Sequence, residues 1–202
     1  MSRDEQILAA AEQLFFDRSF DGVGVDEIGR AAGISGSAIY NYFSSKDEIL
    51  SALFGRALDV LLRRLGEPEP DPWAELDKIV RAFAELTSSS EALAAIWVRE
   101  QRSLAESYRR EHDRRHRYIT ERWATCLDRC YPGHTRERII TVTRGLQLLL
   151  MSEALRPPSG RRTPDAVDLL VEMALASLSP LAQQPANSSN AASNASAASN
   201  IG

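Results

Sequence analysis

Apolar residues recur along this chain at spacings of three and four, and few runs alternate with period two, so the pattern predicts an all-helical protein. The first helix is expected from about Asp4 to Arg18, with Ile7, Ala11, Leu14 and Phe15 on its buried stripe and a turn at Phe20 and Gly22. A short second helix follows from about Asp26 to Ala32. Its acidic start, Asp26 and Glu27, suits the positive end of the helix dipole, and Gly33 supplies its stop. Ser35 is a good N-cap for a third short helix reaching about Phe43, and Ser45 caps a long fourth that starts near Lys46. Ile49, Leu50, Leu53, Phe54, Ala57, Leu58 and Leu61 form the stripe of that fourth helix, which Gly66 and the prolines at 68, 70 and 72 end. The proline cluster reads as an internal boundary. Further helices are expected at about 73–87, 91–104, 106–130, 135–155 and 164–179, separated by Ser88-Ser89-Ser90, Pro132-Gly133 and Pro157-Pro158-Ser159-Gly160.

Composition changes this picture at one end of the chain. From Pro185 to Gly202 there are six Ala, five Ser and four Asn with no charge, which cannot offset ordering entropy by burial, so residues 182–202 are expected to be a disordered tail. The triplets starting at Asn187 and Asn194 match the glycosylation pattern, but as chance matches in a low-complexity segment. No apolar run approaches the ~20 residues of a membrane span, and no charged-then-apolar leader follows Met1. No membrane partner is expected, and the cytoplasm is the expected compartment. The net charge of -4 gives no sign of a nucleic-acid partner. The first 50 residues are more acidic still, with nine acidic and four basic side chains, whereas eight arginines lie between Arg99 and Arg122.

Three short helices in the first 45 residues, with a glycine turn between the second and third, form the helix-turn-helix order, in which the later helix enters the DNA major groove. The stretch from Ile28-Gly29-Arg30-Ala31-Ala32-Gly33-Ile34-Ser35 through Gly36-Ser37-Ala38-Ile39-Tyr40-Asn41-Tyr42-Phe43 to Lys46 and Leu50 closely resembles the DNA-binding signature of the tetracycline-repressor (TetR) family. The resemblance covers about residues 4 to 55. It implies a helix-turn-helix DNA-binding domain at 1–46, joined by the long fourth helix to a helical ligand-binding and dimerisation domain at 47–181. It implies a homodimeric regulator, most often a repressor that a small-molecule effector releases from a palindromic double-stranded DNA operator.

Helical geometry supports the matched positions. Ile39 and Phe43, four apart, share a face that would pin the third helix onto Ile28 and Leu14, leaving Ser37, Tyr40 and Asn41 outward. The family resemblance places that outward face on DNA. Tyr42, Lys46 and Ser35 are the expected phosphate contacts, Asn41 could pair with an adenine edge, Ala38 could touch a thymine methyl, and Gly36 would permit close approach. The plain alternative makes Tyr40 and Tyr42 packing aromatics and Lys46 a surface charge. Two departures from the family pattern, Gly24 where a Thr is usual and Gly36 where a Lys or Arg is frequent, imply fewer phosphate contacts.

In the larger half, Phe83, Ile96, Trp97, Leu104, Tyr108, Tyr118 and Trp123, with Trp73 and Leu86, could line an apolar cavity for a hydrophobic or amphipathic ligand, or simply form a core. The stretch from Ile96 through Arg99-Glu100 to Trp123 is similar to C-terminal domains of actinobacterial regulators of lipid metabolism, some of which sense acyl-CoA; its arginines could then meet phosphates. Glu100, Glu106, Glu111, Asp113 and Glu121 are interleaved with those arginines, which favours a salt-bridged solvated face. Helices eight and nine carry more apolar residues than one stripe needs, and Leu146, Leu149, Leu150, Leu170, Met173 and Leu178 are the expected dimer interface.

Other chemistries have little to stand on. His112 and His116 are four apart, as are Cys126 and Cys130, with His134 nearby, yet thiols at that spacing are more often core groups, so no metal and no cofactor are expected. There is no glycine-rich phosphate loop and no strand-borne nucleophile elbow, so the protein is not expected to be an enzyme. The alternative to a DNA-binding regulator is a helical ligand- or protein-binding module that does not touch DNA.

Overall fold

The computed structural model describes residues 1–156, 160 and 163–183. The turn residues Pro157, Pro158 and Ser159, both glycosylation triplets and the expected tail from residue 184 onward lie outside the described residues. Among those described, every regular element is helical: α1 (Arg3–Arg18), α2 (Val25–Ala31), α3 (Gly36–Ile39), α4 (Lys46–Leu65), α5 (Pro72–Ser89), α6 (Glu91–Glu100), α7 (Glu106–Cys130), α8 (Arg136–Leu150), a 3-10 turn (Ser152–Leu155), α9 (Ala166–Ala176) and α10 (Ser179–Ala182).

The N-terminal helices form as their caps dictate. Glu5 accepts the Ser2 N–H, Glu27 accepts the Gly24 N–H at 3.1 Å, and the Ser35 and Ser45 hydroxyls accept from Ala38 and Glu48, so each start satisfies donors that the helix cannot. Ile7, Ala11, Phe15, Ile28, Ile39 and Phe43 are buried in the N-terminal part of a hydrophobic core that continues into the later helices. The third helix is shorter than expected. After one turn, Asn41 N–H bonds to Ala38 O and Tyr42 N–H to Ile39 O, the tighter i to i+3 pattern, because Asn and aromatic residues hold a helix poorly. Helix α6 also stops early, at Glu100, because that side chain turns inward and Ser103 bonds back to it.

Helix α4 runs the length of this core: Ile49, Leu50, Leu58, Leu61 and Leu65 are all buried in it, and the helix packs on α1, α5, α6 and α7. The proline cluster proves to be a tied connection inside the bundle and not a seam. Lys78 donates to the Glu67 carbonyl, and the Cys126 and Cys130 thiols donate to the Pro72 carbonyl at 3.3 and 3.2 Å. Arg122, one of the arginines of the run, is buried there. It pairs with the buried Glu75 at 2.7 Å and donates to the Leu65 carbonyl.

Candidate DNA-reading face, effector cavity and their connection

The close crossing of α2 and α3 rests on two glycines. A Cβ at Gly29 would lie 2.9 Å from Gly36 N, and one at Gly36 would overlap the Asp26 carboxylate and sit 2.9 Å from Asp26 Cα. Gly36 therefore serves the approach of α2 to α3, a packing task that it shares with Gly29. With α3 seated by buried Ile39 and Phe43, the residues between them are presented to solvent. Tyr40 is 58% and Tyr42 47% exposed, and Ser35, Ser37 and Asn41 are exposed beside them. The Ser35 and Ser37 hydroxyls lie 3.1 Å apart, and Ala38 is half-buried. The packing-aromatic alternative for the two tyrosines does not describe this surface.

Lys46 is placed differently from expectation. Its ammonium donates to the Phe20 carbonyl at 2.9 Å and to the Val23 carbonyl at 3.0 Å, and lies 4.1 Å from the centre of the Phe20 ring. Two of its three donors thus close the corner after α1, which leaves one for any anion. The same Phe20 is held from the other side: its N–H bonds to the buried Glu100 carboxylate at 3.2 Å, and its ring packs edge-on against Phe15. Arg99, next to Glu100, donates to the carbonyls of Phe15 and Phe16 at the end of α1. Sequence spacing gave no hint of this corner, because its partners are some 80 residues apart.

Helix α6 carries this corner at its end and a cavity on its inner face. The cavity, about 50 Å3, lies between α4, α5, α6, α7 and α8 and is lined by Leu58, Leu61, Phe83, Leu86, Trp97 and Ile119, with Thr87, His116 and Gln147 among its polar residues. Of the nine residues expected there, Phe83, Leu86 and Trp97 line it, and Trp73 is exposed on the outside. Ile96, Leu104 and Trp123 are packed in the core, with Trp123 behind Phe83 at 5.2 Å between rings, and Tyr108 is half-buried against the core. Tyr118 is 58% exposed on an outer groove beside Arg122 and Arg129. These corrections share one cause: inward stripes supply core and cavity alike, and the helix crossings decide which residues border a gap.

Trp97 leans on Phe54 and on both histidines, with 4.4 Å to His112 and 5.7 Å to His116. Burial pushes the His112 imidazole down to about 4, helped by its neighbour His116 and by Arg115, and burial lowers His116 as well. Cys126 is pushed up to about 12 by burial, so its thiol is a core group. Among the described residues no three His, Cys, Asp or Glu side chains are grouped to hold a metal ion. The arginine run forms the salt-bridged face that its interleaved acids imply: Arg109 and Arg110 with Glu106, Arg114 with Glu111, and Arg115 with Asp59.

The expected dimer residues divide by face. Leu146, Leu150, Leu170 and Leu178 are buried within the chain itself, because α8 and α9 pack on α5 and on each other, and Leu149 is half-buried. Met173 stands outward at 48% exposure, joined by Leu148 at 66% and Leu169, beside the open face of Gly145. No helix among the described residues is long and apolar enough to cross a membrane.

Comparison with known proteins agrees with this arrangement. Residues 7–53 match the family model for bacterial regulatory proteins of the tetR family. The chain is 42% identical over 65 residues to the transcriptional activator FasR of Mycolicibacterium smegmatis, a match that covers 31% of this chain and 30% of FasR. It is 33% identical over 91 residues to the transcriptional repressor BepR of Brucella suis, covering 43% of this chain and 44% of BepR. These matches thus span less than half the length of either relative. The fold extends further: the crystal structure of AibR in complex with isovaleryl coenzyme A and operator DNA superposes with a TM-score of 0.72 at 20% identity, covering 85% of this chain and 97% of AibR. Residues 7–53, which include α3 and its anchor Ile39, thus match the bacterial regulatory proteins of the tetR family, and the helices behind them share the fold of AibR.

Proposed function

We propose that the protein is a cytoplasmic, homodimeric, ligand-responsive transcriptional repressor that leaves a palindromic operator when a small hydrophobic or amphipathic effector enters the cavity between α4 and α8. Residues 1–46 would form the DNA-reading domain, 47–181 the ligand and dimer domain, and 182–202 a tail outside both. The observation that carries the reading is the exposed Tyr40-Asn41-Tyr42 turn that follows α3, held between Ile39 and Phe43, both buried in the core. Asn41 would read a base edge, Tyr42 and Ser35 would hold phosphates, and Lys46 would add its remaining donor. The outward Leu148, Leu169 and Met173 would meet the same surface of a second copy and set two recognition helices one DNA turn or more apart.

The cavity would couple to DNA through α6. Trp97 lines the cavity, and two and three residues later Arg99 and Glu100 hold the end of α1 and the Phe20 corner, so a ligand that shifts α6 would move the anchor of the reading domain. A tenfold loss of DNA affinity requires only about 1.4 kcal/mol of differential binding between two such states.

The test is an electrophoretic shift with DNA from upstream of the protein's own gene, with light scattering for the dimer. A shift at low salt and a dimer at micromolar concentration are expected. The absence of any shift would favour the rival module that binds a ligand or protein without DNA. Across a panel of operator variants, Tyr42→Phe should weaken every sequence alike, whereas Asn41→Ala should change the order of preference. Equal losses on all operators after Asn41→Ala would remove it from base readout. Activation is a second reading, favoured by the likeness to the activator FasR, and depends on where the operator lies.

A further inference from the structure

The lining of the cavity specifies what it can hold. Its twelve residues include no Asp, Glu, Lys or Arg. Burial lowers the His116 imidazole and so favours its neutral form, which leaves the lining without a carboxylate, ammonium or guanidinium to pair with an ion. The Thr87 hydroxyl donates back to the Phe83 carbonyl at 3.1 Å, which uses its one proton within α5.

Gln147 is the exception. It sits on α8 at a position that is 8% exposed, it borders the cavity, and its amide nitrogen finds no partner among the described residues. Buried amides are almost always hydrogen-bonded, and an unsatisfied one is costly to fold around. The other buried residues of the α8 inner stripe are the apolar Ile139, Leu146 and Leu150 and Thr143, whose hydroxyl is satisfied by donating to the Ile139 carbonyl at 2.9 Å. A leucine at 147 would complete that stripe, so a carboxamide there is a polar group that folding alone does not call for.

We infer that Gln147 is the specificity residue of the cavity, and that the effector is an uncharged, mainly apolar molecule carrying one carbonyl or amide group that receives the Gln147 N–H. The inference rests on the proposed ligand-responsive reading and narrows it: a coenzyme A thioester would have to place its phosphates beyond a lining that has no cation for them, and an ionised fatty acid would bury a carboxylate opposite a neutral imidazole.

The probes are octanamide and octanoate, which share a tail and differ in charge, titrated calorimetrically at pH 7 into the full-length protein and its Gln147→Leu variant. Octanamide is expected to bind the native protein at least tenfold more tightly than octanoate, and to lose about tenfold in Gln147→Leu. Thermal unfolding without ligand is the control for the fold: Gln147→Leu should melt at the native temperature or above it, because it removes an unpaired amide. Octanoate binding as tightly as octanamide, octanamide binding unchanged in Gln147→Leu, or no binding of either probe would each overturn the inference. The DNA shift is read separately. Release of operator by octanoate alone would sink the neutral class while leaving the regulator reading intact; Gln147-dependent octanamide binding without release would do the reverse.

Discussion

At Gly36 the sequence departs from the family pattern, and the structure supplies the reason: the space a side chain needs is filled by Asp26. Gly36→Ala forces backbone and not merely a flexible tip to move, so it should destabilise the protein by about 1–3 kcal/mol, read as a lower denaturant midpoint at unchanged slope. His112 makes a second residue-scale point. Its folded value near 4 lies below the ordinary 6.5, so between those values the unfolded chain binds a proton that the folded chain refuses. The stabilisation from neutral His112 is complete above about pH 6.5 and is lost as pH falls toward 4, and His116 acts in the same direction. The groups around it are Phe54, Trp97, His116, Asp113 and Arg115, of which Asp113 alone opposes the shift. A melting temperature that falls over this window, and falls less in His112→Phe, is expected; an identical pH profile in the variant would exclude His112 as the source.

Among the elements, α7 shows how far a helix can be read and where reading stops. Its bounds, Glu106 to Cys130, match the expectation from periodicity, and its charged face is the salt-bridged one that interleaved acids imply. Arg122 belongs to the same run in sequence yet is buried against Glu75, because α7 crosses α5 at that turn. Removing one partner leaves the other charge buried and alone, so Arg122→Ala should cost about 3–5 kcal/mol. The Glu75→Leu/Arg122→Leu double variant should be distinctly more stable than Arg122→Ala in equilibrium unfolding. Additive losses would show that the pair is not coupled. The α6 end is the opposite case: Arg99 and Glu100 look like two more members of a charged run, and only their partners on α1 give them a different task.

Over the whole molecule, the acidic balance of the first 50 residues has a measurable consequence for the proposed function. Arg18 is paired with Glu27, and Lys46 is largely committed to the Phe20 and Val23 carbonyls, so few cations remain to displace counterions. Each neutralised phosphate contributes roughly 0.9 to the slope of log affinity against log salt. For the proposed repressor that slope should be shallower than about -8; a steeper one would mean that cations outside this face reach the backbone.

The sequence by itself determined the helical class, the bounds of α1, α2, α4, α5 and α7, the Ser35 and Ser45 caps and the helix-turn-helix order, because these follow from spacing within a few residues of chain. It also placed the anchors Ile39 and Phe43, whose roles depend on one helix face. Tertiary structure alone decided which apolar residues border the cavity, which leucines of α8 and α9 are buried within the chain itself and which face outward, and that Lys46 serves the α1 corner. The physical reason is that periodicity says how much of a helix is buried, whereas helix crossings say against what. Gln147 lies between the two: a polar residue in a mainly apolar stripe is visible in sequence, but that its amide borders an unfilled chamber depends on how five helices meet.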